Sequence, residues 1–506
     1  MGLKVSASSI FTLENISDKI PTRLPEAKLL CQQLLARLRL THDAVAALPR
    51  DDATRDEYCR ILVRFLRLLM RRPVLVRLAA SSINQVLIQE LHRRLDVIFE
   101  TLGVEDSTQW RAEWDAGCAQ QLQELKRLAS RSPFVLANEV GGDKKLREAL
   151  ISLSSTFNMD QDPELLQLGR DSFDRVIKAK RMHGLKIFEW FISGDDIDYE
   201  DEAIGAVGTF AEARRGTWFH DGERQDVVVK TLLFNTEGED EDNFHRQLAI
   251  WYGLSDHPNV LKLKGGNPFS SPPFFVCENA PNGNLLDFLA DESNEGFFWS
   301  LFLDVARGIQ YLHSQRIVHG SLKAVNILVT GGNTAKIADF GFSRIRTISL
   351  SLSDKGSKAL SAAIRWKPKE QLEESASDGP QFASDLYALG MSMLEVVTQE
   401  SPFGTLDDDT VTDLVLNGKL PPRPEQASDD AWDLILKLCA SDFRERPGID
   451  DVIDTLTLFQ TKRTPWRQGG SELLDDVEIL SSGIAAGASG TQELQELKSY
   501  RTHLVT

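Results

Sequence analysis

The chain has 506 residues, 42% hydrophobic and 26% charged, an ordinary balance for a globular protein and length enough for about two to four domains. Its formal net charge of −18 argues against nucleic acid as a partner, because phosphates need a basic footprint. Five dispersed cysteines (Cys31, Cys59, Cys118, Cys277 and Cys439) show no metal-ligand spacing and fit a reducing compartment, and no apolar run is long enough for a membrane span.

Residues 1–23 are expected to be a flexible N-terminus without the basic-then-apolar pattern of a secretory signal, which points to a cytoplasmic protein. Met1-Gly2-Leu3-Lys4-Val5-Ser6 fits the pattern for acylation of Gly2, and one acyl chain would give only weak, peripheral membrane association. Residues 24–133 predict an antiparallel four-helix bundle. Leu30, Leu34 and Leu38 form the first apolar stripe, and Ile83, Leu87, Leu91 and Leu95 the third. Pro49 and Asp52 separate the first helix from the second, and Gly103 is placed to end the third. On the second helix Arg60, Arg64, Arg67 and Arg71 share one face. It is either a solvated arginine face or a surface for a membrane or partner.

Residues 134–194 read as a helical connector, with Asp162-Pro163 parting its two apolar patterns. From residue 195 short β-branched strands such as Val227-Val228-Val229 precede a helix-rich half that runs to 462. Residues 463–506 are rich in Gly, Ser and Glu and are expected to be mostly disordered.

One ordered series of motifs occupies 195–462. Val227-Val228-Val229-Lys230 is followed by His257-Pro258-Asn259, Phe275-Val276-Cys277-Glu278, His319-Gly320-Ser321-Leu322-Lys323-Ala324-Val325-Asn326 and Ala338-Asp339-Phe340-Gly341. Arg365-Trp366, Glu370, Ser384-Asp385, Gly390 and Arg446-Pro447 complete it. The series resembles the protein-kinase superfamily, and its Arg-Trp and Arg-Pro elements resemble the tyrosine-kinase-like group. The resemblance implies an α+β bilobal kinase fold behind an all-α bundle and connector, with ATP and Mg²⁺ as cofactors and a protein substrate or protein partners.

Residue by residue, the resemblance gives mixed signals. Gly205 and Gly208 lie in the stretch that would cover the phosphates, but the first two glycines are spaced one residue too far apart and Ala211 replaces the third. Val228 and Lys230 belong to the nucleotide-binding strand, Lys230 being the phosphate contact; Cys277, Glu278 and Ala280 belong to the gatekeeper and hinge. Gln247 stands where a glutamate would pair with Lys230, so that ion pair is lost. Asn326 and Asp339 match the two metal ligands, and Lys323 the lysine that contacts the transferred phosphate. Ser321 occupies the position of the catalytic aspartate, and a neutral hydroxyl cannot act as a base near pH 7. His319, Phe340, Gly341, Glu370, Asp385 and Arg446 match scaffold residues. Two readings follow. One is an ATP-binding but impaired kinase, a pseudokinase, able to form an oligomer, that regulates partners through its helical bundle. The other is a working serine/threonine kinase with an atypical loop.

Overall fold

The protein is described by a computed structural model covering residues 16–467 apart from 18, 71, 159–161, 183–184, 186–187, 205–210, 221–222, 233–238, 271, 341–363 and 374–380, with backbone alone at 201–202, 239–243 and 247. Gly2, Arg71, Gly205, Gly208 and Gly341 lie outside the described residues, and Gln247 is known only by its place on a helix. Two compact units emerge: Met1–Leu254 with Lys262–Asn279, and Ser255–Leu261 with Ala280–Thr506. Among the described residues no helix is long and apolar enough to cross a membrane.

Among the described residues the first unit is helical at 19–23 and then carries α1 (Lys28–Ala46), α2 (Ala53–Leu68), α3 (Val74–Ala79), α4 (Ser81–Leu102), α5 (Trp110–Ala129), α6 (Pro133–Val140), α7 (Asp143–Ser155) and α8 (Pro163–Lys180). Local chemistry sets their ends. Asp52 accepts from the Thr54 and Arg55 amides and starts α2, and Asp162 does the same for Glu164 and Leu165 ahead of Pro163. Gly103, at φ 62°, closes α4 in the left-handed region that suits glycine. The short helix α3, between Pro73 and Ser81, has no counterpart in the sequence prediction.

The apolar stripes form two cores rather than one. Leu30, Leu34 and Leu38 of α1, Ile61 and Phe65 of α2, and Leu91 and Leu95 of α4 build the first. Leu75 of α3, Leu125 and Leu128 of α5, Leu150 of α7 and Val176 of α8 build the second. Helix α5 lends Trp114 and Cys118 to the first and its C-terminal leucines to the second, so packing runs without a break across residue 133. A buried charge sits inside the first group of helices. Arg37, 0% exposed, donates to Asp106 at 2.8 Å, to Asp96 at 2.5 Å and to the His92 carbonyl at 2.7 Å. Its guanidinium also lies against the Phe99 and Trp110 rings. Burial and the neighbouring Arg37 push His92 down to about 3, so its ring stays neutral at physiological pH.

The same unit ends in an antiparallel sheet of β1 (Ile197–Ala203), β2 (Ala211–His220), β3 (Glu223–Leu232), β4 (Leu263–Asn267) and β5 (Phe274–Glu278), in the order β1-β2-β3-β5-β4. Val227 and Val229 alternate inward with Phe274 and Val276. Helix α9 (Glu239–Tyr252) packs Phe244 and Trp251 beside Phe275.

The second unit is mostly helical: α10 (Leu285–Ala290), α11 (Phe298–Ser314), the hairpin β6 (Ile327–Val329) and β7 (Ala335–Ile337), α12 (Lys369–Leu372), α13 (Phe382–Thr398), α14 (Asp408–Leu416), α15 (Asp429–Leu438) and α16 (Ile449–Thr461). Helix α13 is buried along almost its whole length, including Ser384, Asp385, Ser392 and Glu395, so it is the post around which the unit is organised. Past α16, Trp466 stacks on Phe298 at 4.2 Å and donates to the Glu295 carbonyl, binding the end of the described chain to α11.

Candidate functional site

The stretch His319–Asn326 hangs from two carboxylates of α13. Asp385, 1% exposed, accepts from the His319 amide at 2.8 Å and the Gly320 amide at 2.9 Å, and contacts His313 Nε2 at 2.8 Å. Buried backbone donors need such partners, and one carboxylate here serves two consecutive ones. Ten residues on, buried Glu395 accepts from the Ala324 amide at 2.9 Å and the Trp366 indole at 3.0 Å. Burial raises the Glu395 pKa, opposed by the Ala324 and Trp366 hydrogen bonds and by Lys323 nearby. The Lys323 ammonium lies 5.6 Å from the centre of the Trp366 ring, so Glu395 and Trp366 together set its surroundings. Neither residue was foreseen as part of the site. The available signal was one acidic residue in the apolar run Met391-Ser392-Met393-Leu394-Glu395-Val396-Val397.

Within the loop the contacts close on Ser321. Its amide donates to His319 Nδ1 at 3.3 Å, which requires the neutral tautomer with the proton on Nε2. Its hydroxyl donates to the Asp339 carbonyl at 3.4 Å, and Asn326 Nδ2 donates to the Ser321 carbonyl at 2.7 Å and hydroxyl at 3.3 Å. Ser321 thus joins the backbone of Asp339 to the side chain of Asn326. Both are buried, Asn326 at 6% and Asp339 at 9% exposed. Asp339 holds φ 62°, a left-handed conformation that costs a non-glycine residue about 1–3 kcal/mol and persists where its surroundings over-determine it. The His319 and Phe340 rings, in edge contact at 6.2 Å, are part of those surroundings. Asn326 Oδ1 and the Asp339 carboxylate are hard oxygen donors of the kind Mg²⁺ takes, in the small number it uses when phosphate oxygens and water complete its shell. The donor set therefore fits that ion.

Hairpin β6–β7 carries Asn326 and Asp339 on either side. Asn259 ties it down, donating from its side chain to the Ala335 carbonyl and accepting from the Ile337 amide, while the Ala338 amide donates back to the Asn326 carbonyl. Farther out, Arg446 grips Glu370 through two nitrogens at 2.6 and 3.0 Å, donates to the Ala383 and Ala440 carbonyls, and lies over Tyr387. Arg365 caps the Pro402, Gly404 and Leu406 carbonyls.

The remaining candidates belong to the other unit, Ala280 excepted. Lys230 sits in β3 opposite Ala213 of β2 and Phe275 of β5. Val228 is half-buried and pairs with Cys277, which is 4% exposed. Glu278 accepts from the Lys262 amide at 2.7 Å through its own side chain, so part of this carboxylate is committed to the sheet. Ala280, in the second unit, is half-buried, and its carbonyl accepts from Gly283.

Residues 200–456 match the family described as protein tyrosine and serine/threonine kinase. The chain is 30% identical over 282 residues to the tyrosine-protein kinase Btk of Drosophila melanogaster, 54% of this chain and 34% of that protein. It is 31% identical over 265 residues to ephrin type-A receptor 5 of Rattus norvegicus, 51% of this chain and 25% of the receptor. It is 24% identical over 332 residues to the RGS domain-containing serine/threonine-protein kinase A of Dictyostelium discoideum, 64% of this chain and 28% of that kinase. The chain spans between 15% and 43% of the length of these and similar curated relatives.

Proposed function

The chain belongs to the protein kinase superfamily, and from that premise we propose a kinase-like signalling protein that binds ATP with Mg²⁺ but transfers phosphate poorly or not at all. Ser321 supports this reading most. Its hydroxyl is neutral and is engaged with Asp339 and Asn326, where a carboxylate would be needed to accept the substrate proton. Loss of a positioned base typically costs about 10²–10⁴-fold in rate. Lys230 would hold the nucleotide phosphates, with Val228, Cys277, Glu278 and Ala280 beside the base and Asn326 and Asp339 supplying oxygens to Mg²⁺. The ion would neutralise phosphate charge. Protein partners are engaged through the helical region in this reading.

The competing reading, an active serine/threonine kinase, draws on the retained Lys323, Asn326 and Asp339, since positioning and metal charge supply much of phosphoryl-transfer catalysis. One experiment separates the two. The full chain is assayed for thermal shift with ATP, with and without Mg²⁺, and for phosphate transfer to generic protein substrates. Lys230→Met and Asp339→Ala serve as controls. The expected result is Mg²⁺-dependent stabilisation without transfer above either control. Transfer by the wild type that both substitutions abolish would overturn the proposal.

A further inference from the structure

Two arginines of the basic face of α2, Arg64 and Arg67, are turned to the protein itself. Arg64 Nε lies 2.8 Å from Asp198 of β1, and Arg67 donates to the Tyr199 carbonyl at 3.0 Å with its guanidinium 5.3 Å from the Tyr199 ring centre. Just beyond α2, Arg72 pairs with Asp195, immediately ahead of β1. Arg60 remains exposed, and among the described residues it pairs with Glu57 of its own helix. Strand β1 is one of the two edge strands of the sheet.

The opposite edge, β4, is held by the segment that follows the helices. The Ile192 amide donates to the Gly266 carbonyl at 3.0 Å and the Gly266 amide to the Trp190 carbonyl at 2.8 Å, making Phe191 and Gly266 a parallel bridge. Gly265 lets this happen: at φ 154° a side chain there would put Cβ 2.3 Å from the Trp190 carbonyl oxygen. Asn267, at the end of β4, donates to Glu148 of α7 at 3.1 Å. Phe188 and Trp190 stack at 4.5 Å and both meet His245 of α9, which Phe269 meets from the loop between β4 and β5. Two edges of one sheet are thus gripped by the chain ahead of it: by arginines of α2 and just beyond it on one side, and on the other by strand pairing and aromatic packing of the non-helical segment that follows α8.

We infer that the region ahead of the sheet is a clamp in cis on the two edge strands, fixing β1 through Arg64, Arg67 and Arg72 and β4 through the non-helical segment Trp190–Ile192, so that nucleotide affinity is set by this region as well as by the sheet. The last clause rests on the nucleotide-binding reading above, because β1 leads into the stretch that carries Gly205 and Gly208. The first part does not. The test uses the full chain, comparing wild type with Arg64→Glu/Arg67→Glu, the exchanged pair Arg64→Asp/Asp198→Arg, and Trp190→Ala. Amide hydrogen exchange is read at β1 and β4, and affinity is measured with ATP plus Mg²⁺. The expected outcome is exchange at least tenfold faster in β1 for the double glutamate and in β4 for Trp190→Ala. Protection should return in the exchanged pair, and ATP should bind several-fold more weakly wherever protection is lost. Unchanged β1 exchange in a folded double glutamate overturns the clamp, whatever ATP does. Should that variant fail to fold, an exchanged pair that is no better protected than Arg64→Asp alone does the same. Faster exchange with unaltered ATP affinity overturns the coupling alone. A wild type that binds no ATP refutes the nucleotide reading, and exchange still decides the clamp.

Discussion

Replacing Asp385 by alanine should release the His319–Asn326 loop. In the folded protein Asp385 satisfies the His319 and Gly320 amides and holds His313, and it is 1% exposed, so water cannot easily take its place. Hydrogen bonds to a charged group contribute about 1.5–3 kcal/mol each, and orphaned buried donors cost about 1–3 kcal/mol each. Two amides therefore lose about 3–6 kcal/mol between them. At about 1.4 kcal/mol per factor of ten, local opening becomes about 10²–10⁴-fold more frequent. Amide hydrogen exchange reads this directly at residues 319 and 320, without assuming that a chain of two units unfolds in a single step. Asp385→Asn keeps one acceptor but turns an NH₂ toward the second amide, so it should recover less than half of the lost protection. Exchange at His319 and Gly320 within about threefold of wild type in Asp385→Ala would refute the assignment of Asp385 as the loop's anchor.

Burial, and then the charge of Asp195, push Asp196 up to about 7 from the ordinary 3.8. A folded pKa above the unfolded one gives stability that is complete below about 3.8 and lost as pH rises through 7. Because the side chain is only half-buried, wild type should lose about 2 kcal/mol more than Asp196→Asn between pH 5 and 8 in denaturant titrations, and equal losses would dismiss the shift. Arg37→Ala removes a buried cation shared by Asp96 and Asp106, leaving Asp106 to Thr108 and Asp96 to Arg111, for a cost of about 3–5 kcal/mol, whereas Arg60→Ala should leave the unfolding midpoint where it was. Gly390→Ala would put Cβ 2.6 Å from Cys439 Sγ and 2.9 Å from Leu438 Cβ, an overpacking cost of about 1–3 kcal/mol by thermal melt. Adding Cys439→Ala should recover part of it, and no recovery would point to a different clash.

The kinase-like half was legible because its evidence is local and ordered. Each motif carries its own residue chemistry, and the order of motifs along the chain restricts the fold without any contact being known. The helices before it were legible as amphipathic stripes, since a period of 3.6 is a property of neighbouring residues. Their assembly was not. Nothing in the stripes shows that α5 divides its apolar residues between two cores, or that Arg37 would be buried among Asp96, Asp106 and two aromatic rings. Arg64 and Arg67 show the same limit. Their spacing on α2 revealed a basic face but not its occupant, which lies some 130 positions away in β1.

What the sequence determined alone is the chemical identity of each position. Ser321 is neutral, Gln247 is uncharged, and Asn326 and Asp339 keep oxygen donors, whatever the chain folds into. The tertiary structure alone decided who faces whom: that Ser321 joins Asn326 to the backbone of Asp339, that Glu395 and Trp366 lie beside Lys323, and that both edges of the sheet are held by the chain ahead of it. The reason is physical. Charge and hydrogen-bonding capacity belong to a side chain, whereas hydrogen bonds, burial and shifted pKa values belong to pairs, and distant residues become pairs only when the apolar surfaces between them pack.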